Sequence, residues 1–178
     1  YGGPVNTEGV TAHSGSQCWG TNLKGQDVSL AISDLISPAV DLTSGRKATL
    51  RFWQYYDFTE RSELLDIEAG QVAISKDNGV TWNLVYTVDG DFSPGWEEIV
   101  VDISPFAGSV VRFDWNYQMF SFDATPRTGW LIDDVSVTLD RTPTGTIAIT
   151  NNLFQAAFLI TGPLTNNGQG LAFRLTNA

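Results

Sequence analysis

Residues 129–137 read GWLIDDVSV, an apolar and β-branched run that carries two adjacent acids. The composition of this run is typical of a β-strand, in which alternate side chains share a face. Period-two alternation predicts one face composed of Leu131, Asp133, Val135, Val137 and Leu139. Because a carboxylate on a core face is costly unless a cation or several hydrogen bonds meet it, we expect a partner for Asp133. In an acidic chain with one His and one Cys, a hard cation such as calcium is the simplest partner.

Composition limits the classes of protein to which the chain can belong. Apolar residues make up 42% of the 178 residues and charged residues 17%, which allows a packed core of one domain, or of one domain and a piece of another. The net charge of -10 disfavours nucleic acid and anionic membranes as partners. No apolar run approaches the roughly 18 residues that span a bilayer, so no membrane span is expected. Few Lys and many Gly, Thr and Ser favour an extracellular or cell-surface location.

Short alternating runs recur along the chain and predict β-strands. They cover residues 48–53, 71–75, 82–86, 98–103 and 110–115. Turn signals separate them, among them Asn78-Gly79, which is typical of a hairpin turn rather than a cation loop. Residues 104–108 could form a single helical turn. Many short strands with regular turns predict an all-β sandwich.

A cluster of polar, Pro and Gly residues at 140–145 predicts a boundary. We therefore expect one domain over residues 1–140 and a linker with a partial second β domain over residues 141–178. Three candidate strands fall in this tail, at residues 145–150, 156–160 and 170–175. The tail either begins a truncated second domain, packs on the first, or supplies strands that pair with another chain.

Several motifs occur in a specific order. They are AHSGSQCWGT at 12–21, LISPAVDL at 35–42, LRFWQYYD at 50–57, VAISKDNGVTW at 72–82, GWEEIVVDI at 95–103 and GWLIDDV at 129–135. Over residues 8–139 the chain resembles the MAM-like jelly-roll domains of bacterial and archaeal surface proteins. The same domain accompanies secreted metallopeptidases of the immune-inhibitor-A type. The tail resembles the start of the small β-sandwich repeats that follow such domains.

The resemblance implies a jelly roll of two antiparallel sheets that serves adhesion, carbohydrate binding or support of a neighbouring domain. It also implies a structural calcium that joins the first-strand region to the final strand. The residues expected to hold this calcium are Asp133, Asp134, Glu8 and His13. Which of the two adjacent acids ligates stays open, and the alternative is a hydrogen-bonded acid at a strand end.

Acids and aromatic rings near strand ends are candidates for ligand binding. The candidate set is Tyr56, Asp57, Phe58, Glu60, Arg61, Phe120 and Phe122. Exposed rings can stack on sugars, whereas the alternative for each ring is core packing. The acids after residue 57 could bind a second cation, form a solvated loop or, as a pair, hydrolyse a glycoside.

The sequence argues against catalysis. The metallopeptidase relatives carry two His around a Glu on a zinc-binding helix, and this chain has one His in total. His13 and Cys18 lack the third group that orients a catalytic base, and Cys18 is expected to be a small buried hydrophobe. We therefore expect a non-catalytic extracellular adhesion module that binds a glycan or a surface protein and is stabilised by calcium. The alternative is a structural protomer of a filament, sheath or surface coat, whose partner is a second copy of the chain.

Overall fold

The computed structural model describes residues 9–21, 23, 30–58, 67–90, 92–120 and 127–140, and the backbone of residues 158–163 and 170–175. The chain divides into two compact units, Tyr1–Asp140 and Arg141–Ala178. The described strands of the first unit are β1 (Trp19–Gly20), β2 (Leu30–Ile36), β3 (Val40–Asp41), β4 (Lys47–Asp57), β5 (Ile67–Ser75), β6 (Asn83–Val88), β7 (Glu97–Asp102), β8 (Val110–Phe120) and β9 (Gly129–Asp140). A single 3₁₀ turn, Ser104–Phe106, lies where a helical turn was predicted.

The first unit consists of two antiparallel sheets. The first sheet has the strand order β1-β9-β4-β7, and the second has the order β2-β8-β5-β6, with β3 also paired to β8. Apart from the two-residue β3 and the β5–β6 hairpin, consecutive strands lie in opposite sheets, which is the strand order of a jelly roll. The predicted all-β sandwich of two antiparallel sheets is therefore confirmed.

Alternation along the strands places the core between the sheets. The inward residues of β4 and β8 include Leu50, Phe52, Phe113 and Trp115, all at least 96% buried. At Asn78 and Gly79 the backbone adopts φ of 60° and 92°, the positive values that the predicted hairpin turn requires.

One tryptophan joins the two sheets through a buried polar contact. The indole nitrogen of Trp130 on β9 donates to Gln54 Oε1 at 3.0 Å. The amide nitrogen of Gln54 then donates to the hydroxyl of Tyr86, on the opposite sheet, at 2.7 Å. Gly70 makes room for the ring, since a Cβ at that position would lie 2.7 Å from it. These contacts connect the two sheets at the end of the sandwich where β9 begins.

The face of β9 expected from simple alternation is wrong, because the strand contains a β-bulge. Arg51 pairs with Ser136 and Trp53 with Asp133, so two residues of β9 lie opposite one residue of β4. Asp134 occupies the bulge with φ of 47°. The extra residue shifts the alternation by one position. The core therefore receives Trp130, Ile132, Val137 and Leu139, whereas Val135 is 36% exposed.

In the second unit, β10 (Phe158–Pro163) and β11 (Gly170–Leu175) form an antiparallel hairpin. They overlap two of the three candidate strands of the tail, and the candidate at residues 145–150 lies outside the described residues. The functional division of the chain at residue 140 and the role of the tail in assembly stay predictions. Within the described residues, no helix has the length and apolar character needed to cross a membrane.

Candidate functional site

The bulge in β9 brings the two adjacent acids against the N-terminal segment. Asp133 Oδ2 accepts a hydrogen bond from the backbone nitrogen of Ser14 at 3.2 Å. The hydroxyl of Ser14 donates to Asp134 Oδ1 at 2.6 Å, and the amide of Asp134 donates to Asp133 Oδ1 at 2.8 Å. We call these contacts, together with those of His13, the N-terminal clasp. It joins segments that are about 120 residues apart in sequence.

His13 completes the clasp through both its polar and its aromatic character. Its Nδ1 lies 2.7 Å from Asp134 Oδ2, where it donates a hydrogen bond because a carboxylate can only accept. The imidazole stacks on the ring of Trp53, with centroids 3.8 Å apart and planes 14° apart. The ring of Trp96 also lies beside His13, with centroids 5.8 Å apart, and its indole nitrogen donates to the carbonyl of Thr11 at 3.0 Å. Hydrogen bonds from Ser14 and then His13 hold the pKa of Asp134 below its ordinary value.

Oxygen atoms in and beside the clasp could contribute to a calcium site. A polar cleft of about 350 Å³ is lined by Ser14, Gly15, Ser16, Gln17, Trp19, Asp133, Asp134 and Val135. Each carboxylate oxygen has more than one lone pair, so a hydrogen bond from the protein does not exclude a cation. In the described residues, however, no three His, Cys, Asp or Glu side chains form a metal-binding group. Glu8, the third acid of the predicted set, lies outside the described residues. Calcium therefore stays a prediction.

The predicted aromatic platform at the end of β4 is wrong in one respect, because Phe58 is completely buried. Its ring packs against those of Tyr56 and Tyr117, with centroid distances of 5.0 and 6.0 Å. Tyr56 is half-buried. Phe120, at the end of β8, is 41% exposed and stays available to a ligand.

Asp57 has a structural role in the described contacts. Its Oδ1 accepts a hydrogen bond from Arg127 at 3.2 Å, and its Oδ2 accepts one from the backbone nitrogen of Thr128 at 3.4 Å. Both oxygens of Asp57 are therefore engaged by the protein, and the carboxylate joins the end of β4 to residues 127 and 128. The remaining predicted ligand-binding residues, Glu60, Arg61 and Phe122, lie outside the described residues.

Cys18 is completely buried, as its interpretation as a small hydrophobe predicted. Burial, with a smaller contribution from the negative charge of Asp133, raises the pKa of Cys18 to about 11. The thiol is therefore protonated at neutral pH and is a poor nucleophile.

The outer face of the second sheet carries a group of residues that sequence reasoning missed. Across the strands, Ile36 pairs with Asp114 and Asp114 with Ala73, while Asp34 pairs with Asn116 in the next row. These side chains point away from the core. Strict alternation with the inward aromatic residues of β8 was the available signal, since it puts Asp114 and Asn116 outside. Asp114 is only 8% exposed. This low exposure depends on the neighbouring strands and could not be predicted from the sequence of β8 alone.

The chain is 26% identical over 133 residues to Bacillopeptidase F of Bacillus subtilis (strain 168). The match covers 75% of this chain but only 9% of the relative, so the chain spans a small part of that longer protein. No family model matches the chain.

Proposed function

We propose that this chain is a non-catalytic binding module of a longer extracellular or cell-surface protein. In this proposal the module is of the MAM-like accessory kind and binds a glycan or a surface protein through the outer face of its second sheet. The motif order of residues 8–139 supports the family. The similarity to a small part of Bacillopeptidase F supports the idea that such a module accompanies other domains.

The observation that carries this proposal is the concentration of exposed apolar side chains on one sheet face. Ile32 and Ile36 of β2 are 76% and 51% exposed, and Leu84 of β6 is 57% exposed. Ile67 and Phe120 are also exposed, at 54% and 41%, where β5 and β8 pair with each other. Single exposed apolar residues are ordinary, but several on one face are typical of a surface that meets a partner.

A double substitution on this face tests the proposal. The fluorescently labelled chain would be applied to a glycan array and to an array of surface-protein peptides. Ile32→Ser with Ile36→Ser should weaken binding about tenfold or more, because two apolar contacts are lost. Val100→Ser is the matched control, since Val100 is as exposed as Ile36, at 51%, but lies on β7 of the first sheet. Unchanged binding by the double variant, or no binding on either array, would contradict the proposal.

A structural calcium at the N-terminal clasp is the second part of the proposal. The buried carboxylate of Asp133 and its neighbour Asp134 place two acids side by side, and the cleft beside them offers the amide oxygen of Gln17 and the hydroxyl of Ser16. A hard cation prefers such oxygen donors and would offset the repulsion of the two carboxylates. The ion would stabilise the fold by binding only the folded state.

A further inference from the structure

Asp114 lies near the middle of the outer face of the second sheet. Its neighbours across the strands are Ile36 of β2 and Ala73 of β5, and Leu84 of β6 pairs with Ala73. One row toward the other end of β8, Asn116 donates a hydrogen bond to Asp34 Oδ1 at 2.6 Å. The face thus combines two carboxylates with aliphatic side chains at both ends of the Asp114 row.

The carboxylate of Asp114 is buried on this face and incompletely paired. The residue is 8% exposed, and its Oδ1 is buried without a hydrogen-bond partner in the part of the chain that the structure describes. A buried polar atom without a partner is rare in native proteins and calls for an explanation such as a missing ligand. Burial first, and the charge of Asp34 second, raise the pKa of Asp114 to about 6.

Among the described residues around Asp114, no cation takes the role of partner. Arg112, two residues away on β8, directs its Nε to Asn78 Oδ1 at 2.7 Å and its Nη1 to the carbonyl of Ser37 at 3.0 Å. Asp34 is the charged residue of β2 beside the site and is itself acidic. The described outward residues that lie beside Asp114 on β5 and β6, namely Gln71, Ala73 and Leu84, are uncharged.

We propose that this face binds a basic segment of a partner protein, with a Lys or Arg side chain seated between Asp114 and Asp34. This inference rests on the proposed function, because it assigns a ligand class to the same sheet face. A cationic group would donate to the unpaired oxygen of Asp114 and offset the repulsion between the two carboxylates. The aliphatic side chains of Ile36 and Leu84 match the methylene stem that precedes the charge of Lys or Arg.

The composition of the face favours a basic side chain over a sugar. Sugars stack on aromatic rings, and none of the described outward neighbours of Asp114 on β2, β5, β6 and β8 is aromatic. Phe120 is the exposed ring of β8, six residues from Asp114, or about 20 Å along an extended strand. A ring at that distance cannot stack on a sugar that is hydrogen-bonded to Asp114.

Peptide titration followed by amide chemical shifts tests the inference. The probes are the acetylated and amidated peptide Ile-Arg-Ile-Arg-Ile and its analogue with citrulline, an uncharged isostere, at both Arg positions. At pH 7.5 the Arg peptide should shift the amides of residues 34, 36, 73 and 114, and the citrulline peptide should bind about tenfold more weakly or not at all. Asp114→Asn and, separately, the exposed Asp34→Asn should each weaken the Arg peptide about tenfold.

Glu98→Gln is the control, because Glu98 is an acid on the first sheet that pairs with the exposed Arg51. It should leave the affinity for the Arg peptide unchanged. Equal binding of the two peptides, undiminished binding by Asp114→Asn, or no shifts on this face would overturn the inference. If the peptides fail while array binding is still lost in the Ile32→Ser/Ile36→Ser variant, the inference fails and the proposed function stands. A glycan or a non-basic protein segment that binds this face would then be the ligand.

Discussion

Asp133 and Asp114 are both more than nine-tenths buried, yet their surroundings differ. In the N-terminal clasp, both oxygens of Asp133 accept hydrogen bonds from backbone amides, one of which belongs to Ser14. On the outer face of the second sheet, one oxygen of Asp114 has no described partner, and the nearest acid, Asp34, repels it. Similar burial therefore has opposite consequences. The first acid stabilises the fold, and the second destabilises it unless a ligand supplies the missing donor.

The largest expected effect is the loss of the clasp acid. Asp133→Ala removes two hydrogen bonds from the part-buried amides of Ser14 and Asp134 to a charged acceptor and should lower the free energy of unfolding by about 3 kcal/mol. Urea denaturation in EDTA measures this loss without a contribution from calcium. The control is Glu98→Ala, which breaks an exposed ion pair and should cost less than about 1 kcal/mol. Equal losses in the two variants would mean that the clasp contributes little to stability.

Replacing Asp114, the acid of the other region, should raise the free energy of unfolding instead of lowering it. Because the folded pKa of Asp114 is about 6 and its ordinary value is 3.8, the folded protein loses stability as the pH rises from about 4 to about 6. Above this window the penalty is complete, and Asp114→Asn should then raise the free energy of unfolding by about 2 kcal/mol. Urea denaturation at pH 4 and pH 8 gives the difference between variant and wild type. A destabilised variant at pH 8 would show that Asp114 has a partner after all.

Calcium should affect the stability of the protein through the clasp alone, and not through Asp114. At a concentration ten times its Kd, calcium should raise the free energy of unfolding by about 1.4 kcal/mol. Thermal unfolding with calcium and with EDTA measures the response. Asp133→Asn should abolish it, whereas Asp114→Asn should not. An identical Tm in calcium and in EDTA for the wild type would leave the clasp as a hydrogen-bonded junction without a metal.

The smallest effect concerns the bulge. Asp134→Ala loses the side-chain hydrogen bonds to His13 and Ser14. It also places alanine, which has a Cβ and no side-chain hydrogen bond, at φ of 47°. Together these changes should lower the free energy of unfolding by about 1 kcal/mol. Asp134→Gly loses the same bonds but tolerates this φ, so it should be less destabilising than Asp134→Ala. Urea denaturation of the two variants separates the side-chain and backbone contributions. A glycine variant that is the less stable of the two would contradict this account of the bulge.

Much of the fold could be predicted because its signals are local. Alternation in residues 48–53 and 110–115 anticipated β4 and β8, and the turn at Asn78 and Gly79 depends on residues that favour positive φ. The same reasoning failed where one inserted residue changes the pattern. The bulge at Asp134 reverses the faces of β9, and nothing in the run itself shows that β4 lies opposite it with one residue fewer.

The candidate site, too, could be predicted from the sequence only in part. The resemblance implied that Asp133 and Asp134 share a calcium site with His13, and in the structure both acids contact the His13–Ser14 segment through hydrogen bonds, while the calcium itself stays a prediction. The prediction that Phe58 binds a ligand was wrong. Its ring is buried against Tyr56 and Tyr117, which its place at a strand end does not reveal. The environment of Asp114 depends on β2, β5 and β8 together, so it became visible only when those strands were placed side by side.

The most direct test of the contrast between the two regions is to titrate one acid of each in one sample, Asp114 on the sheet face and Asp134 in the clasp. Carboxyl carbon NMR of the labelled wild-type protein, recorded in EDTA from pH 2 to pH 8, reports the pKa of Asp114 and of Asp134 separately. We expect a pKa of about 6 for Asp114, because of its burial and the charge of Asp34, and a pKa below the ordinary value for Asp134, because of its hydrogen bonds to Ser14 and His13. Ordinary values near 3.8 for both acids would contradict the account, since neither the unpaired acid nor the clasp would then exist as described.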